Sequence, residues 1–240
     1  MKAVIYNRYG GPEVLEYVDV VTPRPKKGEL LIRIKAASVN PADWKAREGR
    51  LKIVTGRKFP KYPGIEAAGM VEQTGAGVEN FKPGDRVFAV KRDYTAGAYA
   101  EYFTAPAENC VILPDNIDFA EGCTLSVTGV TALQAFRDHG GIEEGMKVLV
   151  NGASGGVGTY AVQIARILGA DVTAVCSRKN HALVKKLGAQ KVIYYKKKNF
   201  TDTSKKYDII LDAAGNLKFR DIRQNLKKDG VLIKLNLSFS

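Results

Sequence analysis

The sequence predicts an α/β protein in which a mostly antiparallel β domain is followed by a parallel sheet flanked by helices. In residues 1–115, short apolar segments are separated by turn sequences rich in Gly and Pro, such as Lys-Pro-Gly-Asp at 82–85. This pattern is typical of antiparallel sheets. From residue 118 onward strands alternate with helices, which is the spacing of a doubly wound parallel sheet. We therefore expect two domains, 1–120 and 121–240.

The first domain is predicted to be almost entirely β. Its segments combine β-branched and aromatic residues and are bounded by turn residues. The predicted strands are 2–7, 15–20, 29–39, 64–75, 85–90, 97–106 and 110–114. Residues 41–49 are the one predicted helix, because Pro41 suits the first turn of a helix.

The second domain is predicted to begin with a helix over 119–140 and then to alternate. The predicted strands are 147–152, 171–176, 191–195, 208–214 and 231–236, and the predicted helices between them are 156–169, 180–188 and 217–230. The first of these helices has an apolar face at Val157, Ala161, Ile164 and Leu168. A doubly wound sheet needs such faces to cover it.

Composition indicates a packed globular protein, since 45% of the residues are hydrophobic. No apolar run approaches the roughly 20 residues of a transmembrane helix, and the first residues lack the apolar stretch of a secretory signal. We therefore expect a cytoplasmic protein. Cys110, Cys123 and Cys176 are far apart without CxxC spacing, so we expect buried free thiols rather than a disulfide framework or a structural zinc site.

The formal net charge of +12 is unevenly distributed, because residues 151–240 hold 17 Lys/Arg against 6 Asp/Glu. Such an excess attracts an anionic ligand, and it would equally suit RNA or an anionic membrane surface. Much of it lies in short lysine runs, such as 196–198, which are more often solvated faces than binding sites. Nucleic acid and membrane are therefore not the expected partners.

A glycine-rich turn carries the strongest chemical signal. Gly152 to Gly158 spell GASGGVG between an apolar strand and a helix. Unpaired N–H groups at the helix N-terminus and the positive end of its dipole face the ligand, and the glycines allow a pyrophosphate to approach closely. We expect Ser154, Gly155, Gly156 and Val157 to hold the pyrophosphate of a dinucleotide.

The end of the next strand predicts which dinucleotide is bound. NAD-binding chains usually carry an acid about 20 residues after the glycines, where it holds the adenosine ribose. Here the residues are Ser177, Arg178 and Lys179, which would favour a 2′-phosphate and hence NADPH over NADH. Tyr195 can add its hydroxyl to the same phosphate. The alternative is that Arg178 and Lys179 simply end a strand in solvent.

Three segments together resemble a known family. They are SVNPADWK at 38–45, PGIEAAGMVEQTGAGVENFKPGDRV at 63–87 and NGASGGVGTYAVQIARILGA at 151–170. They resemble the zinc-free, zeta-crystallin-like quinone oxidoreductases of the medium-chain dehydrogenase/reductase superfamily, and the resemblance runs from residue 1 to about 236. It implies a GroES-like β domain joined to a Rossmann domain, with NADPH as cofactor and an active site in the cleft between them.

The resemblance also bears on whether the protein binds zinc. Asn40, Ile65 and Thr124 occupy the positions at which zinc-dependent alcohol dehydrogenases of the superfamily carry their ligands, and residues 90–98 lack the cysteines of their structural-zinc lobe. We expect no metal site, and we expect both histidines to lie at the surface. Without a Lewis acid, hydride transfer to a quinone or an α,β-unsaturated carbonyl is favoured over alcohol oxidation.

By the same resemblance, Asn40 lies beside the nicotinamide and the substrate, where its amide would polarise the carbonyl, and Thr128 contacts the nicotinamide. Gly215 and Asn216, after the predicted strand 208–214, are expected near the nicotinamide as well. The alternatives are that Asn40 only shapes the turn before a proline and that Thr128 is an ordinary helix residue.

Asp43 is the third candidate catalytic residue, because it could orient Asn40 or Lys45. The alternative is a surface acid in the first turn of a helix. Trp44 and Tyr62 are candidate walls for a flat quinone ring, although packing in a core is the commoner use of an aromatic residue.

Two further expectations concern the whole molecule. Relatives in the family continue well beyond the strand predicted at 231–236, so the chain is expected to be truncated or a fragment, and the homodimer usual in the family is doubtful. The alternative function is a catalytically weak dinucleotide-binding protein whose basic second domain contacts RNA or an anionic membrane surface.

Overall fold

The computed structural model describes residues 1–91, 93 and 97–235, and the chain divides into two compact units, Met1–Val127 and Thr128–Ser240. Part of the segment 90–98, used above for the structural-zinc lobe, and residue 236 of the last predicted strand lie outside the described residues. The domain boundary near residue 120 stays a prediction. Within the described ranges, no helix combines the length and the apolar character that crossing a membrane requires.

The first unit is built on antiparallel strands. A two-stranded ribbon pairs β1 with β2, and a five-stranded sheet has the order β6-β3-β4-β5-β7, with every pair antiparallel. The strands are β1 Lys2–Tyr6, β2 Leu15–Asp19, β3 Glu29–Ala37, β4 Glu66–Thr74, β5 Arg86–Val90, β6 Tyr102–Pro106 and β7 Cys110–Ile112. Strand β6 starts later than the predicted 97–106.

The central pair of this sheet explains one glycine. Gly69 of β4 lies opposite Ile34 of β3, and a Cβ atom at Gly69 would come within 2.1 Å of the Arg33 carbonyl oxygen. The core of the sheet is formed by apolar side chains that alternate along the strands, including Leu30 and Ile32. Helices in this unit are short: α1 Pro41–Arg47, α2 Lys52–Thr55 and α3 Phe119–Gly122.

The second unit is a parallel sheet with the order β10-β9-β8-β11-β12. Its strands are β8 Lys147–Asn151, β9 Asp171–Cys176, β10 Lys191–Tyr194, β11 Tyr207–Asp212 and β12 Leu226–Lys234, and its helices are α4 Val130–Gln134, α5 Gly156–Ile167, α6 His181–Lys186 and α7 Phe219–Ile222. Val148 and Val150 of β8 belong to one buried cluster and Leu149 to another. Both faces of the sheet are therefore covered, and the predicted α/β fold class is confirmed.

The strand order creates a crevice. From β8 the chain proceeds outward through β9 and β10, and it then returns to place β11 on the other side of β8. In open α/β sheets, ligands bind where the strand order reverses, beyond the carboxyl ends of the strands. That point here is the end of β8 and β11, at Asn151 and Asp212.

Two helical predictions were inaccurate. The predicted helix over 119–140 contains wide π-helical turns at Leu125–Gly129 and Ala135–Gly140, each of which accommodates an extra residue per turn. The predicted helix over 217–230 is wrong beyond α7, because β12 begins at Leu226. Asn225 explains the early end of the helix, since its side-chain amide donates to the carbonyl groups of residues 200, 203 and 205.

The three cysteines are free and buried. Burial raises the pKa of Cys110 to about 12, and burial also raises the pKa of Cys123 and of Cys176. Thiolates are the nucleophilic form, so a raised pKa and a covered sulfur both suppress reactivity.

We therefore expect all three thiols of the folded chain to react slowly in thiol–disulfide exchange at pH 8. Titration with a chromogenic disulfide should detect no fast-reacting thiol in buffer and all three cysteines after unfolding in guanidinium chloride. A fast-reacting thiol in the folded chain would contradict the packing around that cysteine.

Candidate functional site

The glycine turn follows β8 directly. Gly152 has a positive φ of 78°, and α5 begins at Gly156 with Gly155 as its N-cap residue. Gly155 has no side chain with which to cap the helix, and no side-chain cap hydrogen bond forms at this N-cap position. A Cβ atom at Gly155 would meet only the Gly152 carbonyl oxygen, at 3.4 Å. Packing within the protein therefore does not require a glycine at 155, and the lack of a side chain there leaves the N-terminus of α5 exposed.

A cavity of about 560 Å³ lies beside this turn. It is lined by residues at the carboxyl ends of β8 and β9 and by residues that follow β8, β9, β10 and β11. These are Asn151, Gly152, Ser154, Val175, Cys176, Ser177, Tyr195, Lys198, Asn199, Phe200, Ala214, Asn216 and Leu217. Ser177 Oγ is buried and has no hydrogen-bond partner among the described residues. A buried hydroxyl without a partner is costly, so Ser177 is suited to a polar ligand atom.

Only some of the residues predicted to bind the 2′-phosphate lie at the cavity. Ser177 and Tyr195 line the cavity, whereas Arg178 and Lys179 are exposed in a short turn and are not among its lining residues. Lys198, which the sequence analysis placed in a solvated lysine run, lines the cavity instead. Its position could not be predicted, because it depends on how the segment after β10 folds back towards β9.

The pyrophosphate candidates lie together at the start of α5. Ser154 Oγ accepts a hydrogen bond from Asn180 Nδ2 at 2.8 Å, which ties the turn to the end of β9. Thr128, the first residue of the second unit, packs close by, because a Cβ atom at Gly156 would come within 3.2 Å of Thr128 Cγ2. Val157 is half-buried and packs against the core of this unit.

On the β11 side, Asp212 organises the loop that contains Gly215 and Asn216. Asp212 is fully buried. Its Oδ1 accepts from Asn151 Nδ2 at 2.8 Å and from Gly215 N at 2.9 Å, and its Oδ2 accepts from Leu217 N at 2.8 Å. Asn151 also donates to Asn216 Oδ1 at 2.8 Å. Asp212 is not among the residues predicted from the sequence, although an acid at the end of an apolar strand is a visible signal.

In the first unit, Asn40 and Asp43 lie at the start of α1. Asn40 is the N-cap residue, and its backbone N–H donates to Asp43 Oδ2 at 2.7 Å, which is the acidic half of a capping box. Tyr99 Oη donates to the same oxygen at 2.9 Å. Burial raises the pKa of Asp43, and these hydrogen bonds oppose the rise. Burial and the neighbouring Asp43 raise the pKa of Tyr99.

Glu66 is a buried carboxylate that is not among the residues predicted from the sequence. It is fully buried at the start of β4. Asn40 Nδ2 donates to Oε1 at 2.8 Å and Ser38 Oγ donates to the same oxygen, while Ser126 Oγ and the Val127 N–H donate to Oε2, each at 2.7 Å. An acid inside the apolar segment GIEAAG was the available signal.

Asn40 has both amide hydrogens engaged within this network. Besides Glu66, Asn40 Nδ2 donates to Ser38 Oγ at 3.0 Å. The predicted donation from this amide to a substrate carbonyl stays a prediction, and it would require one of these hydrogen bonds to break.

The remaining candidates occupy ordinary positions. Trp44 is half-buried, with Lys45 Nζ 5.7 Å from its ring centre, and the described residues contain no ion pair between Asp43 and Lys45. Tyr62 lines a shallow pocket of about 270 Å³ in the first unit. Both histidines are exposed, as expected.

The described residues contain no group of three or more His, Cys, Asp or Glu side chains that could hold a metal ion. Of the three positions aligned with zinc ligands, Ile65 is buried, and Thr124 donates its hydroxyl to the Glu121 carbonyl at 2.7 Å. Asn40 is engaged with Glu66 as described. Neither an isoleucine nor these hydroxyl and amide groups belong to the usual zinc ligands.

Comparison with known proteins matches the two parts of the chain separately. Residues 26–115 match the alcohol dehydrogenase GroES-like domain, and residues 156–236 match the zinc-binding dehydrogenase domain. These matches agree with the two sheets described above.

Relatives match nearly the whole chain. A quinone-oxidoreductase homolog from Spinacia oleracea chloroplasts is 40% identical over 245 residues, covering 98% of this chain and 74% of that protein. An NADPH-dependent alkenal/one oxidoreductase from Arabidopsis thaliana chloroplasts is 36% identical, covering 90% and 58%. A mycobacterial protein solved in complex with NADPH superposes with a TM-score of 0.85 at 31% identity, covering 97% of this chain and 73% of that one.

Proposed function

We propose that this chain, which belongs to the quinone oxidoreductase family of the medium-chain dehydrogenase/reductase superfamily, is a zinc-independent reductase that uses NADPH to reduce a quinone or an α,β-unsaturated carbonyl. Membership in the family makes the chain an oxidoreductase. The observation that carries the finer proposal is the cavity at the end of β8 and β11, where an uncapped glycine turn and the unpartnered Ser177 hydroxyl meet.

The cavity, which Ser154 lines, and the start of α5 that follows Ser154 together fit NADPH. Ser154, Gly155, Gly156 and Val157 would hold the pyrophosphate, because the turn offers a helix N-terminus that no side chain caps. Bound there, NADPH would supply a hydride to the acceptor. Binding of NADPH by the mycobacterial structure and the NADPH dependence of the Arabidopsis oxidoreductase both support this assignment.

The 2′-phosphate is assigned to Ser177, Tyr195 and Lys198. They combine a buried hydroxyl, a half-exposed phenol and an ammonium group around one cavity, and a cation with hydroxyl donors is the usual way to hold a phosphate dianion. Arg178 and Lys179 remain candidates from the sequence, and their substitution belongs in the same experiment. Gly215, Asn216 and Thr128 are assigned to the nicotinamide side.

The first unit supplies the proposed substrate residues Asn40 and Asp43. Zinc independence rests on residue type, because the aligned positions hold Asn40, Ile65 and Thr124 rather than Cys and His. A conjugated acceptor suits such a site, since the charge that develops during reduction spreads over the conjugated system. The names of the Spinacia and Arabidopsis relatives support a quinone or an enone as the small-molecule partner.

Fluorescence titration tests the proposal. We expect NADPH to bind at least tenfold more tightly than NADH, and Lys198→Ala to weaken NADPH binding about tenfold or more while leaving NADH unchanged, because hydrogen bonds to charged groups contribute about 1.5–3 kcal/mol. Lys186→Ala, an exposed lysine of α6, is the control. Arg178→Ala and Lys179→Ala should weaken NADPH binding less than Lys198→Ala does. If either weakens it more, the 2′-phosphate would be assigned to Arg178 and Lys179, as the sequence predicts.

Turnover is measured in the same cuvette by adding 9,10-phenanthrenequinone or a 2-alkenal and following oxidation of the nucleotide. Acceptor-dependent oxidation is the expected result. NADPH binding without oxidation by any acceptor would favour the alternative, a dinucleotide-binding protein whose basic second unit contacts RNA or an anionic membrane surface. Equal affinity for NADPH and NADH would overturn the assignment of the 2′-phosphate site.

A further inference from the structure

Glu66 is unusual because it is a fully buried carboxylate whose described partners are all uncharged. Its two oxygens receive hydrogen bonds from two pairs of donors, Ser38 and Asn40 on Oε1 and Ser126 and Val127 on Oε2. Among the described residues no Lys or Arg forms an ion pair with it. Burying a carboxylate without a neighbouring cation is energetically costly. This cost indicates that Glu66 has a functional role.

The network determines which way the Asn40 amide faces. A carboxylate only accepts hydrogen bonds, so the atom of Asn40 that faces Glu66 Oε1 must be Nδ2, and its second hydrogen goes to Ser38 Oγ. The Asn40 side chain also faces the Asp43 backbone N–H as the second half of the capping box, but it makes no hydrogen bond of good geometry there. The planar amide therefore turns Oδ1 away from Glu66, and the group that Asn40 offers to a ligand is a hydrogen-bond acceptor.

The other oxygen of Glu66 holds the end of the first unit. Ser126 and Val127 belong to the π-helical segment Leu125–Gly129, and Thr128 is the next residue along the chain. One buried carboxylate is thus bonded to Asn40 and also to the two residues that directly precede Thr128. Networks of this kind hold side chains in one geometry, provided that every member is satisfied.

We propose that Glu66 is a positioning residue for the reduction, one that keeps the Asn40 amide oriented with Oδ1 outward. The inference rests on the proposed function. The chemistry that such an oxygen recognises is a donor, such as the hydroxyl that a quinone gains on reduction, and not a carbonyl oxygen. Asn40 then acts as an acceptor in the site, in contrast to the donor role implied by the family resemblance.

Glu66→Gln is the first test. The new amide must place its NH2 group against one of the two donor pairs. The pair on Oε2 includes a backbone N–H that cannot turn, so the NH2 faces Asn40, which relieves the conflict by turning its own amide over. We expect kcat with a saturating quinone to fall about tenfold or more, because a misplaced or unsatisfied buried hydrogen bond has an effect of that size. The Kd for NADPH should stay within about twofold.

The pair Glu66→Gln and Asn40→Asp tests the direction of the amide. Asn40→Asp alone places two carboxylates in contact and should lower kcat at least as much as Glu66→Gln. In the double variant, the amide introduced at 66 donates to the carboxylate introduced at 40, which again turns an oxygen outward. We expect the double variant to recover most of the kcat lost in either single variant. If Glu66 and Asn40 contributed only to stability, kcat would recover in the double variant only as far as the free energy of unfolding recovers.

A readout without turnover separates this inference from the proposed function. In ¹⁵N NMR spectra the Asn40 side-chain NH2 group, assigned by its loss in Asn40→Asp, should exchange slowly with water in the wild type and quickly in Glu66→Gln. If no acceptor is reduced but the NMR result holds, the proposed function and the role of Glu66 in the reduction both fail, while the orientation of the Asn40 amide by Glu66 stands. Unchanged kcat in Glu66→Gln, a double variant no better than the single ones, or rapid exchange in the wild type would each overturn the inference.

Discussion

Replacing Gly158 by alanine is expected to destabilise the second unit by about 3 kcal/mol or more and to abolish NADPH binding. A Cβ atom at Gly158 would lie 2.1 Å from the Gly152 carbonyl oxygen and 2.8 Å from backbone atoms of Ala153. These neighbours are backbone atoms, which cannot move aside as the end of a flexible side chain can. The turn must open, and α5 must shift away from β8.

Gly155→Ala is the matched control for this prediction. A Cβ atom at Gly155 meets only the Gly152 carbonyl, at 3.4 Å, which is an ordinary van der Waals distance. Urea unfolding should therefore show a change within about 0.5 kcal/mol for Gly155→Ala, in line with exposed substitutions, while NADPH binds more weakly because the methyl group enters the proposed pyrophosphate site. Equal stability of the two variants would contradict the packing of the turn.

The contrast between these glycines shows what the sequence could predict. The motif indicated a strand, a glycine turn and a helix, since local periodicity and local turn chemistry are sufficient for that prediction. It could not assign separate roles to Gly155 and Gly158. Those roles depend on the distance from each Cα to backbone atoms several residues earlier in the chain.

Site residues that depend on distant partners escaped the sequence analysis. Glu66 is bonded to residues 26 to 61 positions away, and Lys198 reaches the cavity only because of the path taken after β10. No pattern of types or spacing encodes such contacts. The predicted helix over 217–230 failed for the same reason, since the bonds from Asn225 to residues 200–205 override the local preference of that segment.

The second large effect is expected at Asp212. Asp212→Ala removes the acceptor for three donors, Asn151 Nδ2, Gly215 N and Leu217 N. A buried donor left without a partner costs about 1–3 kcal/mol, and the loop after β11 can offer some of these groups to water. We therefore expect the free energy of unfolding to fall by about 3 kcal/mol, measured by urea denaturation.

Asp212→Asn and Asp221→Ala complete the test of this loop. Asp212→Asn keeps one acceptor oxygen and should lose about half as much stability, whereas Asp221, whose side chain is 56% exposed beside Arg220, should change stability by less than about 0.5 kcal/mol when replaced by alanine. Because Asp212 holds the loop that carries Gly215 and Asn216, its alanine variant should also bind NADPH more weakly at temperatures where it is still folded. Full NADPH affinity in the folded variant would show that this loop takes no part in cofactor binding, and Gly215 and Asn216 would then lose their assignment to the nicotinamide side.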